Sequence, residues 1–490
     1  MERKNMKVNG ILLRSSIVAA LGGLLFGFDT AVISGTVDHL EKVFQVEGFW
    51  LGFTVASALI GTIFGAMFAG NPADRFGRRN TLFILALLYF VSALGSAFAW
   101  NWWSFIIFRF IGGLGVGGSS VVAPMYIAEI SPAKLRGRLV AVVQFNIVLG
   151  ILLAFLSNYI VAALVADAVE WRWMFGVEAV PAAAYFFLLF GNPLSPRWLV
   201  GQGKSDKARG VLESIGVDEG KSTEDELRDI QVSLERENMQ EKEGFLTFKW
   251  EQGMNPKYAI PVMLAVLIAM FNQLSGINAV LYYAPNVFKL AGADRNASLL
   301  SSVGLGLTNL IFTMLAMLVI DRFGRKKLML VGSIGYIISL AAVAVTFHMN
   351  GNFSAAAETA TGVTTSSVIV LVSLAVFIAS HAFGQGAVIW VFISEIFPNK
   401  VRAKGQSLGA LTHWIMAAVI SWTFPMFADT LGGTATFSFY GGMMVLQLLW
   451  VLFIMPETKD VPLEQIEQKL GIVSAEQTSS AASEPDELRA

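Results

Sequence analysis

Asp74-Arg75-Phe76-Gly77-Arg78-Arg79 follows a long apolar stretch, and the string returns with one conservative change as Asp321-Arg322-Phe323-Gly324-Arg325-Lys326 after another. A charged loop used twice between hydrophobic segments describes a membrane protein made of two related halves. The composition around the two copies agrees. Of 490 residues, 55% are hydrophobic and 14% charged, and the mean hydropathy is +0.61, which is more apolar surface than a globular core absorbs. Lipid must cover the excess. A formal net charge of -1 shows no bias toward nucleic acid or a polyanion. The chain has no cysteine, which excludes disulfides, thiolate catalysis and cysteine metal sites.

A hydrocarbon core of about 30 Å needs about 20 apolar residues per helix, and the chain offers about twelve such segments. They are 14–34, 49–70, 80–100, 104–128, 138–163, 172–192, 258–289, 298–320, 327–349, 366–394, 405–428 and 434–455. The predicted fold is an all-α membrane protein with two six-helix halves, 1–192 and 258–455. A charged linker, 193–257, joins them, with short solvated amphipathic helices expected around 222–243, and a tail, 456–490, follows. The first apolar run contains Asp29 and lacks a small-residue cleavage site, so it reads as a retained span rather than a signal peptide.

Lysine and arginine set the orientation. Arg75, Arg78 and Arg79, then Lys134, Arg136 and Arg138, then Arg322, Arg325, Lys326 and Lys327, and finally Lys400, Arg402 and Lys404 fall in alternate loops, on the side of the linker. The loops 97–103, 164–171 and 350–365 carry almost none: Arg and Lys are absent from the first and last, and from the second up to Trp171. The charged side is therefore expected in the cytoplasm with both termini, in a multi-pass protein of the plasma membrane, and the tail from Gln465, rich in Ala, Ser and Glu, is expected to be disordered. The repeat extends further. Glu129-Ile130-Ser131-Pro132 with Arg136 matches Glu395-Ile396-Phe397-Pro398 with Arg402 at a shift of 266 (395 - 129), against 247 (321 - 74) for the first motif, and a longer loop around 351–365 takes up the difference. Topology alone explains one basic loop, but two copies with acid, glycine and arginine in register suit two parallel halves that rock about a central site.

A charge near the bilayer centre costs roughly 2.5 to 3.5 kcal/mol on insertion scales, so each needs a partner or a task. Asp29 ends a glycine-rich stretch, Gly22-Gly23-Leu24-Leu25-Phe26-Gly27-Phe28-Asp29, and Arg109 opens Arg109-Phe110-Ile111-Gly112-Gly113-Leu114-Gly115. They form a natural opposite-charge pair. Separating them would change the proton affinity of the aspartate, which is what coupling a proton to transport requires, although a static pair that fixes helix register fits as well. Glu178 is a second acid within the spans, for coupling or for an interfacial hydrogen bond. The glycines after Arg109, through Gly118, fit close helix packing better than phosphate binding. No nucleophile, metal cluster or nucleotide loop stands out, so neither an enzyme nor a metal nor a cofactor is expected.

The second half supplies neutral polar groups. Asn272-Gln273-Leu274-Ser275-Gly276-Ile277-Asn278 interrupts an apolar helix and is followed by Tyr282-Tyr283-Ala284-Pro285. Amides both donate and accept, and a break inside a span is tolerated where it lines protein or water. Such a site suits an uncharged, hydroxyl-rich ligand whose ring stacks on an aromatic face, with Trp390, Trp414 and Asn309 able to complete it. His381 and His413 could pack, touch ligand or sense pH; His413, beside Trp414, is placed at the ligand.

These motifs together resemble the sugar porters of the major facilitator superfamily, from about residue 11 to 465. The match takes in the Gly-Gly-x-x-Phe-Gly-x-Asp run ending at Asp29, both Asp-Arg-x-Gly-Arg loops, Arg109 with its glycines, 129–136, Pro196-Arg197-Trp198-Leu199, 273–283 and Pro456-Glu457-Thr458-Lys459. The resemblance implies a twelve-helix alternating-access transporter for a monosaccharide. By position it implies that Gln144, Gln273, Asn278, Asn309 and Trp390 bind and stack on the sugar, with Asn272, Tyr282, His413 and Trp414 alongside. It also implies that Asp29 carries a proton, and that Glu178 matches a second carboxyl of bacterial xylose/proton symporters. Asp74, Arg75, Arg78, Arg79, Glu129, Arg136, Arg197, Asp321, Arg322, Arg325, Glu395 and Arg402 would form a cytoplasmic network that holds the outward-facing state closed inside. The chain departs from the family at Asn272 and His413, where amide residues are usual, at Ile151, a glutamine in the xylose symporters, at Leu194 before Ser195, and at Asp460. The reading is a proton/monosaccharide symporter, its partners a monosaccharide, a proton and membrane lipid, with no nucleic acid and no second subunit; the alternatives are an uncoupled facilitator and a non-transporting sugar sensor.

Overall fold

The computed structural model describes residues 9–217, 221–240, 258–350, 364–398, 401–461, 465, 466, 470 and 472. Residues 351–363, 241–257 and 473–490 lie outside the described residues; of the tail expected to be disordered from Gln465, Ile466, Leu470 and Ile472 are instead buried in the apolar cluster of the second half, and the rest of that expectation falls outside the described residues. Every regular element among the described residues is helical.

The first half runs α1 (Gly10–Val32), a short 3-10 turn, α2 (Val37–Phe44), α3 (Gly48–Phe68), α4 (Gly70–Phe76), α5 (Arg78–Ala97), α6 (Trp102–Ile130), α7 (Ala133–Leu164), α8 (Asp167–Gly176) and α9 (Ala179–Leu188). Three short helices follow outside the apolar spans: α10 (Pro196–Gly201), α11 (Ser205–Ile215) and α12 (Thr223–Gln240). The second half runs α13 (Ala259–Leu274), α14 (Ile277–Tyr282), α15 (Ala284–Leu290), α16 (Arg295–Phe323), α17 (Arg325–Asn350), α18 (Thr365–Phe383), α19 (Gln385–Glu395) and α20 (Arg402–Phe453). Side-chain caps fix several starts. Asn101 and Ser104 cap α6 reciprocally, and Thr364 and Ser367 do the same for α18.

Eleven described helical segments are long and apolar enough to cross a membrane. The last of them, Lys404–Phe453, has 50 residues and would rise about 75 Å if straight, far beyond a core of about 30 Å. It is two crossings. Gly432, at φ 75° and ψ 168°, breaks it, inside the gap expected between 428 and 434, which restores the count to twelve.

Glycine lets the helices meet backbone to backbone. A Cβ on Gly27 would lie 1.9 Å from the Ile147 carbonyl oxygen, which brings α1 against α7, and one on Gly113 would lie 1.9 Å from the Ala58 carbonyl oxygen, which brings α6 against α3. The glycine run after Arg109 therefore serves close packing. The crossings that matter for function are interrupted. Ser275 and Gly276, the latter at φ 85°, divide α13 from α14; Gly384 divides α18 from α19; and Val177 with Glu178 separates α8 from α9.

The buried apolar side chains divide unequally along the bundle. Away from the Asp-Arg-Phe-Gly-Arg loops, one continuous cluster draws on both halves, with Phe28, Val32 and Phe155 beside Tyr282, Phe288 and Phe424. Toward those loops there are two clusters, one per half, around Tyr126 and Leu199 and around Phe397 and Met455. The halves are thus joined at the end opposite the loops.

Gly113→Val is expected to lower the detergent-solubilised melting temperature by the equivalent of about 1 to 3 kcal/mol or more, because a branched side chain must displace backbone. Gly210→Ala, in α11 with nothing within 4 Å of the new Cβ, is the opposite case and should stabilise by roughly 0.5 to 1 kcal/mol.

Candidate functional site

Asp29 lies in the last turn of α1 and Arg109 in the first half of α6, and both are buried, at 2% and 1% exposure. Arg109 Nη1 donates to Asp29 Oδ1 at 2.5 Å, and Nη2 donates to Oδ2 and to the Asp29 carbonyl, each at 3.3 Å. The guanidinium also stands over the Phe175 ring, 5.2 Å from its centroid. The pair expected from the sequence is formed. Glu178, also 1% exposed, sits in the break between α8 and α9 and interacts electrostatically with both Asp29 and Arg109. Neither of its carboxylate oxygens has a hydrogen-bond partner among the described residues. Two buried carboxylates thus lie within electrostatic reach of one buried guanidinium.

Across the interface, the broken crossing α13–α14 gathers the polar groups. Gln273 Nε2 donates to Asn272 Oδ1 at 2.9 Å, Asn278 Nδ2 donates to Gln273 Oε1 at 2.9 Å, and the His413 ring nitrogens lie 3.3 and 3.4 Å from Gln273 Nε2. The Trp390 and His413 rings are 5.1 Å apart, His413 and Trp414 4.9 Å, and Trp414 reaches Phe26 of α1 at 5.5 Å. Amides, an imidazole and three aromatic rings therefore form one surface, and Trp390 keeps 40% of its area open. Gln144 is half-buried on α7 and Asn309 is buried on α16, where its Oδ1 accepts from Thr313 at 3.4 Å; these contacts do not tie them to the Gln273 cluster. Ile151, at the departure from the xylose symporters, is buried and apolar. Tyr282 links the two sites. It follows Asn278 by one turn of α14, bonds to Thr30, and is in electrostatic reach of Asp29 and Arg109.

The duplicated loops build two matching networks. In the first half Arg78 donates to Glu129 (2.9 Å), to Asp74 (2.9 Å) and to the Ala73 carbonyl (2.9 Å), while Ser195 donates to Glu129 at 2.5 Å. In the second, Arg325 donates to Glu395 (2.8 and 3.1 Å) and to the Ile320 carbonyl (3.4 Å) and pairs with Asp321 at 3.3 Å, while Thr458 donates to Glu395 at 2.6 Å. Ser195 and Thr458 are equivalents; both lie in stretches noted in the sequence, but neither was given a role there. The copies differ at the helix start. Glu457 accepts from the backbone N–H of Arg325 and of Lys326 at 3.0 and 3.1 Å, an N-terminal carboxylate of the kind the helix dipole favours, whereas Leu194 in the first half offers no acceptor. The remaining loop arginines are held locally. Arg79 donates to the Asn192 carbonyl, Arg136 to that of Ala128, Arg402 to that of Phe397 and Arg197 to Ser233, while Arg75 lies over Phe76 and the Arg322 carbonyl accepts from Lys459. The ion pairs of Arg78 and Arg325 stay within their own halves here; the lock expected of them concerns the outward-facing state, which is not this one.

Ion pairs that do join the halves lie at the opposite end, and the sequence analysis did not single them out. Lys289 of α15 bonds to Asp38 of α2, and Asn286 donates to the same carboxylate at 2.6 Å. Arg295 of α16 pairs with Asp167 at 2.8 Å and with buried Glu170, both of α8. Trp422 donates to the Phe49 carbonyl beside them at 3.1 Å. Burial pushes the Asp38 carboxyl up, but Lys289 and Asn286 outweigh it and hold the group below its ordinary value. Burial and Arg295 push the His39 imidazole down, against the pull of Asp167, so His39 is neutral near pH 7. The ligand atoms of His39, Asp167 and Glu170 lie within 4.8 Å of one another, a spacing a metal ion can use, but the guanidinium of Arg295 already engages both carboxylates.

The family model described as "Sugar (and other) transporter" matches residues 15–470. The chain is 37% identical over 488 residues to the D-xylose-proton symporter of Escherichia coli (strain K12), covering 92% of this chain and 94% of that protein. It is 38% identical over 472 residues to the glucose transport protein of Synechocystis sp. (strain PCC 6803), covering 94% and 97%. Among solved structures, the inward-open conformation of the E. coli xylose transporter superposes with a TM-score of 0.78 at 36% identity, covering 92% of this chain and 98% of that one.

Removing the far-end closure is expected to open it. In this cysteine-free chain, a single Val280→Cys behind the closure should react with an impermeant maleimide on the order of tenfold faster when Lys289→Ala and Arg295→Ala are combined, for about 1.4 kcal/mol of lost contact. Because the Asp38 value is depressed in the closed state, its contribution is complete above the ordinary aspartate range and lost as pH falls through the depressed value. The open fraction should therefore rise in strong acid, read as the distance between spin labels across the closure because a protonated thiol does not react with maleimide, and Asp38→Asn should remove that part of the rise.

Proposed function

The chain belongs to the sugar-transporter family, and on that premise we propose that it is a proton-coupled monosaccharide symporter working by alternating access. The observation that carries this reading is the buried cluster of Asp29, Arg109 and Glu178 connected through Tyr282 to the amide and aromatic surface. Its relatives are named for D-xylose with a proton and for glucose. A pyranose presents hydroxyls to Gln273, Asn278, Asn272 and His413 and a ring face to Trp390 and Trp414, with Gln144 and Asn309 approaching from the flanking helices. A proton taken up by the Asp29 and Glu178 pair loosens the grip of Arg109 on α1. Because Tyr282 touches both α1 and the sugar-bearing α14, occupation of one site is felt at the other.

In this reading the halves 1–192 and 258–455 rock against each other, with 193–257 as the linker and 456–490 as the tail. The structure is a state closed at the Asp38 and Arg295 end. When that end opens, the networks of Arg78 and Arg325, with Asp74, Arg75, Arg79, Glu129, Arg136, Arg197, Asp321, Arg322, Glu395 and Arg402, draw together at the loop end and lock it. The lysine and arginine bias supports a loop end and termini on the cytoplasmic side, in a chain that acts as a monomer in the plasma membrane. A proton crossing 100 mV supplies about 2.3 kcal/mol, enough for roughly fiftyfold accumulation.

Vesicles containing the purified protein test the proposal. With an inward proton gradient they should concentrate labelled D-xylose or D-glucose, and a protonophore should abolish the accumulation; accumulation that survives the protonophore rules out proton coupling, and equilibration without accumulation means a facilitator. Asp29→Asn should keep sugar exchange and lose accumulation, because Glu178 remains as a counterion to Arg109. The double variant Asp29→Asn with Glu178→Gln leaves the guanidinium buried and unpaired, which should cost about 3 to 5 kcal/mol and show as loss of folded protein.

A further inference from the structure

The closure at the end opposite the loops contains a cluster that belongs wholly to the first half. His39 stands on α2, Asp167 and Glu170 stand in the first turn of α8, and the Arg295 guanidinium of α16 reaches them from the second half. His39 Nε2 lies 3.3 Å from Asp167 Oδ1 and 3.4 Å from Glu170 Oε1, whereas Nδ1 has no hydrogen-bond partner among the described residues. Glu170 is fully buried. Its Oε1 is turned to His39 and Arg295, and its Oε2 has no hydrogen-bond partner among the described residues. Asp167 keeps 77% of its side chain exposed, so water reaches the cluster.

These separations are the ones a small metal ion imposes. Nitrogen and oxygen ligands about 2.0 to 2.1 Å from a tetrahedral zinc ion stand roughly 3.3 to 3.4 Å from each other, which is the spacing of His39 Nε2 from both carboxylates. The three ligand atoms all lie within 4.8 Å of one another, so a rotation of the exposed Asp167 side chain closes the remaining edge. One imidazole with two carboxylates suits Zn2+, with water as a fourth ligand; Ca2+ and Mg2+ take sets of oxygen ligands.

In this structure Arg295 holds the cation's place. Helices α2 and α8 belong to one half and α16 to the other, so when the halves part at this end the guanidinium leaves while His39, Asp167 and Glu170 stay together. Two carboxylates, one of them buried, then face an imidazole with no cation between them. A buried acid stripped of its counterion is strongly destabilising, and a divalent ion entering beside exposed Asp167 supplies the missing charge. While the end is closed, Arg295 excludes that ion. Metal and closure therefore compete for the same three side chains.

We propose that His39, Asp167 and Glu170 form a Zn2+ site that is complete only when this end of the bundle is open, and that the ion, standing in for Arg295, holds the end open and arrests transport. The proposal rests on the alternating-access reading. A ligand that binds one of two states shifts the population toward that state by its differential affinity. By the same linkage, weakening the arginine tightens the zinc.

The full chain, carrying nitroxide labels at Leu164→Cys and Leu290→Cys, one exposed position in each half, is titrated with ZnCl2 in detergent and in proteoliposomes. With no native cysteine and both introduced thiols capped by label, no sulfur competes for the ion. Zn2+ should shift the distance distribution saturably to its longer, open population, EDTA should reverse the shift, and exchange of labelled D-xylose or D-glucose should fall over the same concentrations. His39→Gln and Asp167→Asn should each raise the half-effective Zn2+ concentration on the order of tenfold or more, and Arg295→Gln should lower it by about as much. Mg2+ at equal concentration should leave the distribution alone. A distribution that Zn2+ does not change, or moves toward closure, overturns the site, as does a Zn2+ effect that both ligand variants leave in place or that Mg2+ reproduces. The distance needs no sugar, so if neither sugar is exchanged the transport reading fails while the titration still decides the site. Melting temperatures accompany each variant; should His39→Gln not fold, Asp167→Asn, at an exposed side chain, decides the matter.

Discussion

A charge withdrawn from water into an apolar bundle must be answered by another charge, and Arg109 is answered by Asp29 at 2.5 Å. That constraint reaches outward through the first half. It requires α1 and α6 to approach closely enough for a guanidinium to span them, with glycine on both helices to allow the approach. It also leaves Glu178 as a second acid beside a single cation. Tyr282, arriving from the other half, makes the state of that cluster a property of the interface as well.

The two halves share a design and use it at one end. Arg78, Glu129 and Ser195 are repeated in geometry by Arg325, Glu395 and Thr458, down to the donation from each arginine to the carbonyl five residues before it. This symmetry makes each loop network a rigid unit within its half. At the other end nothing is duplicated. Asp38, Asp167 and Glu170 come from the first half and Lys289, Asn286 and Arg295 from the second, so the contact is complementary rather than equivalent. Rigid, matched units at one end and a breakable, unmatched contact at the other are suited to a rocking motion.

Much of this was legible in the chain. The repeated Asp-Arg-Phe-Gly-Arg strings gave the halves, and a charge inside an apolar run is conspicuous, which is why Asp29 and Arg109 could be paired before any coordinates. Asn272 to Asn278 was visible for the same reason, as amides and glycine interrupting a span. The far-end closure was not visible, because charges beside a span are ordinary and Asn286 meets Asp38 across 248 positions of sequence. The roles of Ser195 and Thr458 were not legible because a hydroxyl acquires meaning only through its neighbours, here Glu129 and Glu395. Gly432 lay in an expected gap, but only its backbone angles show the turn that separates the last two crossings.

The sequence by itself determined the number of crossings, the twofold repeat and the identity of the charged and amide groups committed to the bilayer, because burial energy and helix length act residue by residue along the chain. Tertiary structure decided which end of the bundle is closed, that Glu178 stands beside Arg109 as a second acid, and which residues close the far end. Those are relations between groups far apart in sequence, set by distances and by the direction of hydrogen bonds, and a linear pattern does not carry them.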